Sequence, residues 1–241
     1  MDEARSHEWL NRAGVFPEIE GFMFAIQDQV IATRNYRRVI LKEDVQDKCR
    51  RCGTKGETIQ HILNGCATLA PQAYKERHDS VGKILHLELK KKIYGPKSTT
   101  TQYYEYTPES VIENKTHLLY WDRTILSDKE AIHNRPDITV FDKEKKKVQF
   151  IDMAIPSPNN MQTVYAEKIR KYGELARQVK RLWNAEEVVI IPIIISSNGL
   201  IHKELMTGLK KIGLPAYLCV KLQKAVIIRS CSLVREFLGE L

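Results

Sequence analysis

The sequence predicts an α/β protein: a mixed β-sheet flanked by helices, preceded by a helical segment and a small Cys/His module. Three observations lead there. From about residue 116 the pattern runs strand, strand, strand, helix, strand, helix, an order that builds a sheet with helices laid on it. The run Val188-Val189-Ile190-Ile191-Pro192-Ile193-Ile194-Ile195 is apolar and β-branched, the composition of a buried strand. Ahead of these, Cys49, Cys52, His61 and Cys66 crowd into a stretch too small to fold on hydrophobic burial. The chain is accordingly divided into a helical linker (1–46), the Cys/His module (47–70) and the main domain (71–241).

In chain order, Ser6-His7-Glu8-Trp9-Leu10 caps and begins a first helix. A second is expected over about 18–40, with Phe22, Ile26, Gln29 or Val30, Thr33 and Arg37 down one side. Gly53, Gly56 and Gly65 turn the chain within the module. A helix is expected over about 71–93, stopped by Gly95-Pro96, and 97–102 reads as a polar loop. His117-Leu118-Leu119-Tyr120-Trp121 reads as a strand. Two more strands follow, Arg135-Pro136-Asp137-Ile138-Thr139-Val140-Phe141 and Val148-Gln149-Phe150-Ile151-Asp152, joined by a charged turn. Pro156-Ser157-Pro158-Asn159-Asn160 breaks the chain. One long helix then spans about 161–184, with Tyr165, Ile169, Tyr172, Ala176, Val179 and Trp183 on its apolar face. Pro192 places the following strand at an edge or a bulge. Helical segments near 202–212 and 218–237 come last, with Cys219 and Cys231 as packing residues.

Lys and Arg number 38 against 30 Asp and Glu, a net charge of +8, which favours a polyanionic partner, nucleic acid before membrane. The longest apolar run is far too short to cross a bilayer as a helix. The first residues are charged, so no secretory signal is expected. The five cysteines do not pair evenly, and three sit in the module beside a histidine. That favours a metal site and a reducing compartment over a disulfide framework.

The spacing C-x2-C, then His61, then four residues to Cys66, supplies four tetrahedral ligands for a structural Zn²⁺. In the two-strand stretch, Asp137 and Asp152 lie equally far from the turn's midpoint. A hairpin makes them cross-strand neighbours, and two like charges so placed destabilise a sheet unless a cation lies between them. They are therefore candidate ligands for Mg²⁺ or Mn²⁺. Metal alone does not activate water, and a lysine can orient the nucleophile and stabilise charge building on a phosphate. Helical phase puts Lys168 at the edge of the apolar stripe of the 161–184 helix, and Lys171 further round. Lys168 is preferred, with Lys171 left open.

With these residues in hand, the chain resembles the C-terminal part of a non-LTR retrotransposon polyprotein of the site-specific lineage. Glu20-Gly21-Phe22, the stretch Ala25-Ile26-Gln27-Asp28-Gln29-Val30 and Thr33-Arg34-Asn35-Tyr36 resemble the linker after the family's reverse transcriptase. Cys49, Cys52, His61 and Cys66 match its zinc knuckle, Arg77-His78-Asp79 its Arg-His-Asn/Asp element, and Pro136-Asp137 with Asp152 its Pro-Asp…Asp motif. The resemblance implies a restriction-like endonuclease of the PD-(D/E)xK fold. The usual lysine, two positions after the second acid, is here Ala154, and in this family it is displaced to the next helix, where Lys168 fits. Asp137, Asp152 and Lys168 would be catalytic. Arg34, Arg37, Arg38, Arg50, Arg51, Arg77, His78 and Arg135 are the candidate nucleic-acid contacts. The implied partner is double-stranded target DNA, with the element's RNA left open and no membrane. The chain would be made in the cytoplasm and act in the nucleus. A reverse transcriptase domain is expected in the full-length element. The alternative is a nucleic-acid-binding remnant without catalysis.

Overall fold

The computed structural model describes residues 1–95, 101–126 and 132–239. The elements, in order, are α1 (Glu3–Arg12), α2 (Pro17–Gln27), α3 (Arg34–Val39), α4 (Ile59–Asn64), a π-helical turn (Ala70–Tyr74) and α5 (Lys75–Tyr94). Then come β1 (Val111–Glu113), β2 (His117–Trp121), β3 (Ile138–Asp142), β4 (Lys147–Ala154), α6 (Met161–Lys171), α7 (Gly173–Leu182), β5 (Glu187–Ile194), α8 (Leu205–Ile212) and α9 (Leu218–Leu238). The strands form one sheet in the order β1-β2-β3-β4-β5, antiparallel except for the parallel β4–β5 pair. The α6–α7 segment makes the crossover that a parallel pair requires. This is the mixed, helix-flanked sheet that the sequence predicts.

The sheet is covered on both faces. On one, Ile138, Val140, Ile151 and Met153 meet Val81 and Leu85 of α5, Leu209 of α8 and Leu222 of α9. On the other, Val148 and Phe150 meet Tyr172, Leu175 and Val179. The alternation along β4 produces both contacts, because successive side chains point to opposite faces. Helix α5 crosses the sheet at Gly82, where a Cβ would meet Met153 Cε and Trp121 Cη2 at 2.5 Å. Pro192 lies in β5, which among the described residues is the edge strand next to β4, where its missing N–H is tolerated.

Several local expectations are corrected. The expected 18–40 helix is two. α2 ends at Gln27, the chain turns through Gln29 at φ 60°, and α3 restarts where the Thr33 side chain accepts a bond from the Tyr36 amide. The 161–184 helix is also two, broken at Tyr172, and the break leaves Ile169 exposed. Asp2, not Ser6, caps the first helix. Ser6 is buried and its hydroxyl donates to the Asp2 carbonyl. The expected 71–93 helix starts at Lys75, after the π-turn, and β1 is an additional strand beyond those expected. The 97–102 loop lies mostly outside the described residues. Cys219 and Cys231 are fully buried packing residues, and burial pushes both thiols up to about 12.

The segments 1–46 and 47–70 do not pack apart from the rest. Trp9, Met23, Ile62 and Leu63 share a cluster with Ile227, Val234 and Phe237 of α9.

Candidate functional site

Two polar clusters stand out. In the first, a short turn brings Cys49 and Cys52 together, and α4 carries His61 with Cys66 just beyond its end. Thr58 caps α4 by accepting from the His61 amide. The ligand atoms of Cys49, Cys52, His61 and Cys66 all lie within 4.8 Å of one another. Cys49 Sγ and Cys66 Sγ are 3.9 Å apart, and Cys52 Sγ is 3.3 Å from His61 Nε2. A tetrahedron with Zn–S bonds of about 2.3 Å has edges near 3.8 Å, so the donor set fits zinc. Bonds from the Thr54 hydroxyl and amide hold the Cys52 thiol down at about 5, nearer to the thiolate that a metal needs. Beneath the cluster, the buried Glu57 carboxylate accepts from the Arg34 and Arg50 amides and pairs with the Arg50 guanidinium. Burial would raise its pKa, but these donors outweigh it and hold the group below the usual range.

The second cluster sits where β3 begins and β4 ends. The ladder pairs Ile138 with Ile151, and the same register carried one step further sets Asp137 opposite Asp152. Asp137 Oδ2 accepts from the Met153 amide at 2.7 Å and meets His78 Nε2 at 3.1 Å. The other ring nitrogen of His78 faces Asp79 Oδ1 at 3.1 Å. Burial alone would lower the His78 pKa, but the two carboxylates raise it to about 10. The ring is therefore an imidazolium that donates to both. Asp137, raised by burial, is lowered more by His78 and by the Met153 amide.

Asp152 is 1% exposed. Its Oδ1 accepts from the Tyr172 hydroxyl at 2.6 Å, and its Oδ2 is ion-paired with Lys168 Nζ. Lys171 Nζ lies 3.8 Å from Oδ1 and over the Tyr172 ring. Burial and the Asp152 charge raise the Tyr172 phenol, which stays protonated. The break between α6 and α7 is what seats Tyr172 under the carboxylate while both lysines reach over it. Beside the cluster, a cleft of about 520 Å³ is lined by Tyr74, Lys75, His78, Ala154, Asn160 and Lys168. Another, of about 370 Å³, is lined by His133, Glu167, Lys168, Arg170 and Lys171.

The cationic candidates are distributed unevenly. Arg77 is corrected: it is 2% exposed, and its guanidinium donates to the Leu63 carbonyl and Ser230 hydroxyl instead of facing solvent. Arg37, Arg38 and Arg135 stay at the surface, paired with Glu43, Asp47 and Asp122. Arg34 donates to the Lys48 carbonyl and Arg51 to that of Glu236. Sequence reasoning did not see that His78 belongs with Asp137. It also placed Tyr172 on a helix face without its bond to Asp152. The only sequence signal for either was proximity to a cationic motif or to Lys171.

Fold and clusters together define a mixed α/β protein with a Cys₃His set that could bind zinc and a separate carboxylate–lysine centre. No protein-family model matches the chain. Over 182 residues, 74% of its length, it is 23% identical to the retrovirus-related Pol polyprotein from type-1 retrotransposable element R2 of Bradysia coprophila. The likeness supports a retrotransposon-polyprotein origin. The chain spans 18% of that relative's length.

Proposed function

We infer that this protein is a metal-dependent endonuclease of the PD-(D/E)xK type that nicks double-stranded target DNA, the cutting half of target-primed reverse transcription. The observation that carries the reading is the meeting of Asp137, Asp152 and Lys168 at one end of the β3–β4 pair. Asp137 and Asp152 are hard oxygen ligands, suited to Mg²⁺ or Mn²⁺, and the ion pair of the buried Asp152 Oδ2 with Lys168 Nζ puts the lysine at the same carboxylate. The bound cation would supply charge neutralisation and an acidified water. His78 and the Met153 amide fix the Asp137 rotamer, and Tyr172 fixes that of Asp152. Lys168 orients the attacking water and stabilises charge on the phosphate. Arg34, Arg37, Arg38, Arg51 and Arg135 can exchange exposed partners for DNA phosphates, and the Cys/His module acts as a zinc knuckle. Homology to an R2-type polyprotein accords with this chemistry. On this reading the protein works in the nucleus, next to a polymerase domain.

Plasmid nicking in Mg²⁺ tests it. Asp137→Ala and Asp152→Ala are expected to abolish nicking, and Lys168→Ala to lower it about 10²- to 10³-fold, as loss of one transition-state stabiliser does. Equal cleavage by Asp137→Ala and the wild type would rule the mechanism out. The second reading, a binding module without catalysis, draws on the overall charge of +8. It predicts salt-sensitive DNA binding with no metal-dependent turnover.

A further inference from the structure

A run of hydrogen bonds and one cation–π contact on neighbouring residues of the π-turn and α5 leads from the Cys/His module to Asp137. The Tyr74 hydroxyl lies 2.7 Å from the Ile62 carbonyl and 3.2 Å from that of His61, and it accepts from the Cys66 amide at 3.0 Å. It thereby ties together the backbone of two zinc-ligand residues. The Tyr74 ring is covered by the Arg77 guanidinium, 5.2 Å from its centroid. Arg77 in turn donates to the Leu63 carbonyl at 2.7 Å and to Ser230 of α9 at 3.2 Å. The next residue, His78, holds Asp137. Tyr74 closes the π-turn and α5 begins at Lys75, so the first turn of α5 is seated on the module before it delivers His78 to the β3–β4 pair.

We propose that Tyr74 and Arg77 are positioning residues of the metal centre: they make the placement of His78, and through it the Asp137 carboxylate, depend on the folded Cys/His module. Such a role presupposes the nuclease reading above. A buried guanidinium with partners from α4, the π-turn and α9 is a poor nucleic-acid contact but a good joint. A side chain that orients a metal ligand commonly changes metal affinity about 10- to 100-fold when lost. Arg77 and Tyr74 act one step behind His78, so an effect near the lower end, about ten-fold, is expected.

The test measures Mn²⁺ binding directly, by loss of the free-ion paramagnetic resonance signal on titration into the zinc-loaded 241-residue chain. Wild type, Asp137→Asn, Tyr74→Phe and Arg77→Lys are compared, and wild type is repeated after zinc removal. Tyr74→Phe and Arg77→Lys should weaken Mn²⁺ binding about ten-fold, as should zinc removal, with the number of sites unchanged. Nicking by both variants should recover at saturating metal. A merely lowered folded fraction would reduce the number of sites and leave the affinity alone. Wild-type affinity in Tyr74→Phe and Arg77→Lys, whether or not either keeps its zinc, overturns the proposal. If Asp137→Asn also binds Mn²⁺ as wild type does, it is the nuclease reading itself that fails.

Discussion

His86 shows how a single buried side chain sets a pH limit. It is fully buried on α5, its Nδ1 2.8 Å from the Tyr106 hydroxyl, and its Nε2 has no hydrogen-bond partner among the described residues. Burial, helped by repulsion from Lys90, lowers its pKa to about 4. An unfolded histidine titrates near 6.5. Between those values the unfolded chain binds more protons, so stability is full above pH 6.5 and falls as the pH drops toward 4, by about 3 kcal/mol at most. His86→Gln should flatten that part of the profile, seen as a smaller gap between urea midpoints at pH 7.5 and pH 5. An equal gap in both proteins would sink the assignment. His78, whose side chain is 28% exposed, shows the opposite outcome, because two carboxylates outweigh its partial burial and keep its charge. Burial alone does not decide protonation; the partner does.

At the scale of elements, the contact between α5 and the sheet depends on a missing side chain. Gly82 faces Met153 and Trp121, and a methyl there has no room. Gly82→Ala should gain a little helix propensity and lose more to overpacking, a net destabilisation of about 1–3 kcal/mol by urea unfolding. The same shift would move α5, which carries His78, so weaker Mn²⁺ binding should accompany it. The α6–α7 break matters in the same way. A continuous helix keeps Tyr165, Ile169, Tyr172 and Trp183 on one stripe. The observed break turns Tyr172 down onto Asp152 and leaves Lys168 and Lys171 above it.

At the scale of the whole molecule, α9 is the shared wall. Its first half, with Leu218, Leu222 and Val226, belongs to the cluster on the sheet. Its second half, with Cys231, Val234 and Phe237, belongs to the cluster beneath the N-terminal helices and the Cys/His module. A rigid helix common to both couples their stability. The three tryptophans report on this: Trp9 lies in the N-terminal cluster, Trp121 against the sheet cluster and Trp183 against the far-face cluster. Variants keeping one tryptophan each are expected to unfold at one common urea midpoint, and zinc removal should lower all three together. An earlier transition at Trp9 alone would show that the module unfolds independently.

Much of this was legible in the residues themselves. The succession of elements from β2 to β5, the β3–β4 hairpin and the facing of Asp137 and Asp152 follow from alternation and turn spacing, which are local, whereas β1 does not. So does the Cys/His set, because C-x2-C and a close histidine fix ligand order within a short stretch. Helix breaks were less legible. Gln29 and Tyr172 are ordinary helix residues in sequence, and only neighbouring surfaces decide that the chain turns there. The burial of Arg77 is illegible in the sequence for a related reason. A cation beside a histidine resembles a phosphate contact until its burial is known.

The sequence by itself thus determined the α/β class, the metal-type cysteine and histidine set, and the facing of two aspartates, since each depends on spacing along one or two adjacent segments. Only the tertiary structure decided that His78 charges the Asp137 side, that Tyr172 seats Asp152, and that Arg77 joins the Cys/His module to the carboxylate centre. Those contacts link α5 to the residue before β3, the α6–α7 break to β4, and α4 to α9 through Arg77 of α5. Pairings across such separations depend on how helices dock, and docking depends on shape and burial that no local pattern encodes.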